Sequence, residues 1–168
     1  MIFKIIGIMF IIMTTTLIGI RMSLSLSERE KRLRLIILMF DRFSTLIDFQ
    51  AVHTGEILAQ TATDVRFNDL HFLKEAFKMY KNGETFRNAW DKAVNNDISL
   101  GEEEKSILFS VGASIGKSNT AGQLSMLEIN RQNIENIYEN ISRENLNKGK
   151  LYRSLGVLTG IFISVMLV

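Results

Sequence analysis

Residues 27–49 read SEREKRLRLIILMFDRFSTLIDF, and this stretch decides the class of fold. Leu33, Ile36, Ile37, Phe40, Phe43 and Ile47 recur at spacings of three and four, the period of a helix with one apolar face. Ser27 ahead of Glu28 and Glu30 reads as an N-cap followed by acids in the first turn, where they favour the positive end of the helix dipole. The spacing therefore predicts an amphipathic helix from Ser27 to about Phe49.

The same period continues downstream. Thr54–Thr63 carries Ile57 and Leu58. Asn68–Lys81 places Leu70, Leu73, Phe77 and Tyr80 on one face and stops at Asn82-Gly83, a helix-ending pair. Thr85–Asn95 has Phe86, Ala89, Trp90 and Ala93 as its stripe. Glu102–Ile115 opens on three acids. The last helix starts near Thr120 with Leu124, Leu127, Ile134, Ile137, Tyr138 and Ile141, and is expected to run without a break toward the end of the chain. No stretch alternates with period two, so no sheet is expected. The fold class that follows is all-α, an antiparallel helical bundle that buries these stripes against one another.

The two ends differ from this middle. Residues 2–20 hold one charge, Lys4, at the edge; nineteen residues at helical rise span about 28 Å, close to the hydrocarbon thickness of about 30 Å. A cleaved secretory signal is the rival reading, but the apolar run exceeds the usual ~7–15 residues and no A-x-A-like pair closes it. Residues 154–168 carry no charge. The uncharged run from Leu155 covers only about 21 Å, extended by Tyr152 at the interface and a snorkelling Arg153, with local bilayer thinning taking up the rest. Both ends are read as transmembrane helices, flanking a domain of residues 21–153. Arg21, Arg29, Lys31, Arg32 and Arg34 after the first run, and Arg143, Lys148, Lys150 and Arg153 before the second, place that domain in the cytoplasm. Membrane lipid is thus one expected partner.

Composition narrows the function classes. The chain has 168 residues, enough for one domain, with 20 basic and 18 acidic residues and no Cys or Pro. Interleaved charge with a net of +2 argues against nucleic acid as a partner. Without Cys there are no disulfides or thiolate metal sites. His53 and His71, the only histidines, are eighteen residues apart and lack a ligand spacing. No carboxylate pair stands out as acid and base. The expectation is a non-enzyme with no metal and no cofactor.

Gly112-Ala-Ser-Ile-Gly116-Lys117-Ser118 resembles a phosphate-binding loop. It has three residues between the glycines where four are needed, and it follows a helix where a strand is required. A turn between helices fits better, with Gly116 as C-terminal cap and Ser118, Asn119 or Thr120 as the next N-cap. In the last segment Gly156 and Gly160 form a G-x-x-x-G extended by Ser164, a candidate face for close packing of membrane helices; Gly7, Thr15 and Gly19 make a sparser stripe on the first. These stripes could pair with each other or with another protein, including a second copy.

Several of these residues together carry a family resemblance: Val111-Gly112, Ile115-Gly116-Lys117-Ser118, Gly122-Gln123 and Leu127, then 150–160 (KLYRSLGVLTG) entering the last span, and Thr85–Ala93 with Trp90. Taken over the whole chain, the pattern resembles the stage III sporulation protein AB family, which is similar to the helical cytoplasmic domain of the platform proteins of type II secretion and type IV pilus machines. Asn119 stands where the family usually has Asp, and the stretch around His53 lacks the family's proline. The resemblance implies a non-enzymatic component of a secretion-like channel complex in the mother-cell membrane around the forespore. A cytoplasmic secretion-type ATPase and other membrane subunits are the partners it implies. The turn residues Gly112, Gly116, Lys117, Ser118, Gly122 and Gln123 are the candidate docking surface. A platform subunit of a pilus or secretion machine outside sporulation is the second reading, although such platforms usually carry two copies of the domain and this chain shows no internal repeat. A membrane-bound hydrolase with an unrecognised site is the third.

Overall fold

In a computed structural model of the chain, the backbone is described for residues 2–50, 53–117 and 119–166. Side chains are described for these except 2–6, 8, 11–12, 22–23, 49–50, 147–153, 155–157 and 159–166. The described residues form helices and turns: α1 (Ile2–Gln50), α2 (Thr54–Ala62), a 3-10 turn (Val65–Phe67), α3 (His71–Lys81), α4 (Phe86–Asn96), α5 (Glu102–Ser114) and α6 (Thr120–Met166). The expected all-helical class holds, and α6 runs on unbroken as its sequence suggested.

Two boundaries differ from the sequence reading. Ser27 is not an N-cap, because α1 is already helical from Ile2 and passes straight through it. Between Ile20 and Leu26 there is neither glycine nor proline, so extending an existing helix by one hydrogen bond per residue is favoured over starting a new one. The third helix begins at His71, not Asn68. Asp64 diverts the chain first: its carboxylate accepts the Arg66 amide at 3.0 Å and opens the 3-10 turn, whose last bond is Asn68 N–H to the Val65 carbonyl. The Arg66 guanidinium grips the same carboxylate, and this bonding holds the Asp64 pKa down to about 2.

The chain divides into two compact units, residues 1–31 with 139–168, and residues 32–138. In the second, α3 packs on both α2 and α4, and α4 on α5. The core takes Leu33, Ile36, Met39, Phe40, Phe43 and Leu46 from α1, Ile57 and Leu58 from α2, and Leu127 and Ile134 from α6. Trp90 stands at its centre, fully buried, with Phe43, Phe72 and Phe86 rings at centroid distances of 5.9, 5.5 and 5.6 Å. Arg131 of α6 donates to Asp41 of α1 at 2.8 Å; although burial works against its charged form, that bond and the nearby Glu135 and Glu128 raise its pKa.

Helix ends follow their chemistry. The Asn82-Gly83 stop is a complete Schellman motif: Gly83, at φ +96°, donates to the Tyr80 carbonyl and Glu84 to that of Met79. The Thr85 hydroxyl accepts the Asn88 amide and starts α4. The Glu104 carboxylate, fully buried, accepts the Gly101 amide at 2.8 Å. The start of α3 has no cap of its own; Asp97, beyond α4, accepts the Phe72 amide at 3.1 Å and the Ser99 amide at 2.9 Å. Asp97→Ala removes both, and a loss of about 1–2 kcal/mol is expected in urea titrations followed by circular dichroism. Asp97→Asn keeps only one of the two, because Phe72 and Ser99 donate to different carboxylate oxygens and the asparagine NH2 cannot accept.

Among the described residues no helix is long and apolar enough to cross a membrane. Within the run 2–20 the side chains of 2–6, 8, 11 and 12 lie outside the described residues, and within 154–168 all but Ser154 and Leu158 do. Thr14, within the first run, bonds back to the Phe10 carbonyl at 3.0 Å, as its place in a helix allows.

Candidate functional site

The turn between α5 and α6 is built from backbone outward. α5 closes at Ser114, and Ile115 leaves it extended at φ −63°, ψ 126°, still donating to the Val111 carbonyl. Gly116 follows at φ +79°, the left-handed region that a Cβ disfavours. Its position is constrained twice more. A Cβ on Gly116 would lie 2.7 Å from the Thr54 hydroxyl, so the turn is backed by the start of α2. Its amide donates to the Gln123 side-chain oxygen at 3.1 Å, which ties the turn to the second turn of α6.

Of the three candidate N-caps, Asn119 fills the role: its side-chain oxygen accepts the Gly122 amide at 2.9 Å, and its carbonyl accepts that of Gln123. Lys117 donates its amide to the Ser114 carbonyl and leaves its side chain exposed. The structure thus brings Gly116, Lys117, Gly122 and Gln123 into one hydrogen-bonded turn; Ser118 lies outside the described residues.

Gly112 is elsewhere. It is buried in α5, and a Cβ there would sit 2.4 Å from Cδ1 of Trp90. That absence lets the pyrrole edge of the indole close on α5 and donate from Nε1 to the Leu108 carbonyl at 2.7 Å. A glycine inside a helix is unfavourable by roughly 1 kcal/mol against alanine, which is the sequence signal that something packs closely there. Asn119 and Thr54 are the residues that the candidate site lacked on sequence grounds. Gly156, Gly160 and Ser164 have backbone in α6, but their surroundings lie outside the described residues.

Other places with reactive side chains are unassembled. His53 is exposed at the start of α2, without a side-chain cap bond. His71 lies on the rim of a cavity of about 400 Å³ between α3 and the α4–α5 turn, with Glu75, Met79, Asp97 and Ile98. Asp97 there is occupied as the cap of α3. Among the described residues no group of three His, Cys, Asp or Glu side chains could hold a metal ion. Gly112 lies inside α5 and Gly116 follows that helix, where a phosphate-binding loop needs a strand ahead of its first glycine, so the structural context of such a loop is missing.

The described residues therefore define an all-α bundle whose first and last helices are far the longest and whose α5–α6 turn is locked to its neighbours by side-chain and backbone bonds. The chain belongs to the stage III sporulation protein AB family: the family model matches residues 4–168. Among solved structures it is similar to "Stage III sporulation protein AB (SpoIIIAB)", with a TM-score of 0.56 and 15% sequence identity, over 70% of this chain and 96% of that one. At that identity the likeness concerns the fold. No curated protein sequence matches the chain.

Proposed function

We propose that the chain is a non-enzymatic membrane component of the sporulation-specific, secretion-like channel complex between mother cell and forespore. In this reading residues 2–20 and 154–168 are its membrane anchors, and the helical domain is the platform or adaptor on which a cytoplasmic ATPase and other membrane subunits assemble. The observation that carries it is the extent of the family match, which runs in one piece through the bundle and both apolar ends. Basic residues flank both ends on the domain side, which favours a cytoplasmic domain.

The docking surface we assign is the exposed side of the α5–α6 turn. Its backbone is fixed from behind by Thr54, Gln123 and Asn119, so little order remains to be imposed when a partner binds, and Lys117 presents a positive charge. Lys117→Glu is expected to lower co-purification of the ATPase about tenfold, the effect of one reversed charge at an interface, with membrane insertion unchanged. Undiminished co-purification would remove this surface from the reading. A tagged protein should appear only during sporulation, at the engulfed forespore; a constitutive signal over the whole envelope would overturn the function itself.

A further inference from the structure

We infer that Glu30 is a register pin that holds the two terminal segments of this one chain side by side, antiparallel, with Gly19 level with Gly156. The inference rests on the membrane reading above for its setting and on geometry for its content.

In the unit made of residues 1–31 and 139–168, the Glu30 carboxylate bridges the two helices. One oxygen accepts the Ser142 hydroxyl at 2.9 Å and the other the Asn145 amide at 2.6 Å. Charge-assisted bonds of this kind are short and directional, and two donors one turn apart on α6 leave a carboxylate little freedom to slide along it. α1 leaves this unit just after Glu30 and α6 enters it just before Ser142. Both helices therefore run away from the pin within the same compact unit, in opposite chain directions.

Burial gives the face. On α1, Glu30 and Leu26 are half-buried, Gly19 is buried, and Thr16 and Thr15 are half-buried, positions that recur at three, four and seven residues. Met13, Leu17, Ile18 and Leu24 between them are exposed by half or more. This stripe is the side of α1 turned inward. On α6 the inward side passes through Ile141, Ser142 and Asn145, while Leu146 is exposed. Counting on from Asn145 at helical spacing gives Gly149, Tyr152, Gly156 and Gly160. Ser154 and Leu158, each two residues from Gly156 and so nearly opposite it around the helix, are exposed.

Both helices rise 1.5 Å per residue, so equal counts from the pin stay level. Counted from the shorter of the two bonds, Glu30 to Asn145 at 2.6 Å, eleven residues back on α1 is Gly19 and eleven on along α6 is Gly156; fifteen give Thr15 and Gly160. The small residues of the two segments thus coincide pairwise. Small residues opposite one another let helix backbones approach and gain dispersion contact that lipid does not supply. The small-residue stripes of the two segments are mutual partners, and the exposed side with Met13, Leu17 and Ile18 is what the pair offers to lipid and other subunits.

The chain has no cysteine, so paired cysteines report cleanly. In the full-length protein in phosphatidylethanolamine–phosphatidylglycerol vesicles, Thr16→Cys with Thr159→Cys, fourteen residues from the pin on each side, should form a disulfide within one chain on mild oxidation. Leu17→Cys with Leu158→Cys, both exposed, should not. Glu30→Ala should slow the first cross-link about tenfold, as loss of a charge-assisted bridge does, and Glu30→Gln less, since it keeps one acceptor. The inference is overturned if Glu30→Ala leaves the rate unchanged, if Thr16→Cys links faster to Ile163→Cys one turn on, or if links form only between chains. Release of the protein by alkaline carbonate would instead overturn the membrane reading, and the cross-link pattern can be read in either case.

Discussion

Replacing Trp90 by alanine is expected to lower the unfolding free energy by about 3–5 kcal/mol, the range for emptying a large buried aromatic site. Three contributions act together. The side chain is fully buried, so its whole apolar area returns to a cavity. It is also the common neighbour of the Phe43, Phe72 and Phe86 rings, which come from α1, α3 and α4; the edge-on Phe72 contact, at 84°, and the stacked Phe86, at 26°, lose their partner at once. The third is the Nε1 bond to the Leu108 carbonyl. Trp90→Phe isolates that last contribution and should be milder, because the ring contacts largely survive. Since single domains hold only about 5–15 kcal/mol in total, Trp90→Ala should move the urea midpoint far down, read by circular dichroism because the chain's only tryptophan is gone.

Gly112→Ala should destabilise by about 1–3 kcal/mol, and its sign should reverse when Trp90 is absent. A methyl at position 112 meets Cδ1 and Nε1 of Trp90 at 2.4 and 2.9 Å, distances that require the indole or α5 to shift. The indole cannot move freely, being hemmed by three rings and bonded to Leu108. In the Trp90→Ala background the clash disappears, and alanine within α5 should then stabilise by about 0.5–1 kcal/mol through its helix propensity. Coupling of this size is what contacting residues show in a double-mutant cycle, and additivity would mean that the two residues do not touch. Because Trp90 is the sole tryptophan, the emission of Gly112→Ala should shift to the red as the indole leaves its site.

Much of the bundle was legible as period. Spacing alone places Leu33, Ile36, Ile37, Phe40, Phe43 and Ile47 on the inner face of α1, and the structure buries all of them but Ile37, which is half-buried. Met39, Leu46 and Phe72 are equally buried without having stood out, because a helix enclosed on more than one side buries a wider arc than a single stripe. The Asn82-Gly83 stop was readable since a left-handed residue after a helix is a local requirement. The extra turn that delays α3 to His71 rests on Asp64, whose bonds to Arg66 compete with helix formation in a way that apolar spacing does not register. Of the candidate docking residues, Gly116 is bonded to Gln123 and Gly122 to the N-cap Asn119, while Gly112 proves to be a seat for Trp90.

The amino-acid order by itself determined that this is an all-helical chain with a charged middle, two apolar ends and a glycine-marked turn before its last helix, because hydrophobic period and turn chemistry are properties of neighbours along the chain. Tertiary structure decided which glycine serves the turn and which the core, which polar residue caps which helix, and where α1 and α6 stand against each other at Glu30. Those outcomes depend on side chains brought together from distant positions, such as Trp90 with Gly112, Asp97 with Phe72, and Glu30 with Ser142 and Asn145, and no local pattern encodes such meetings.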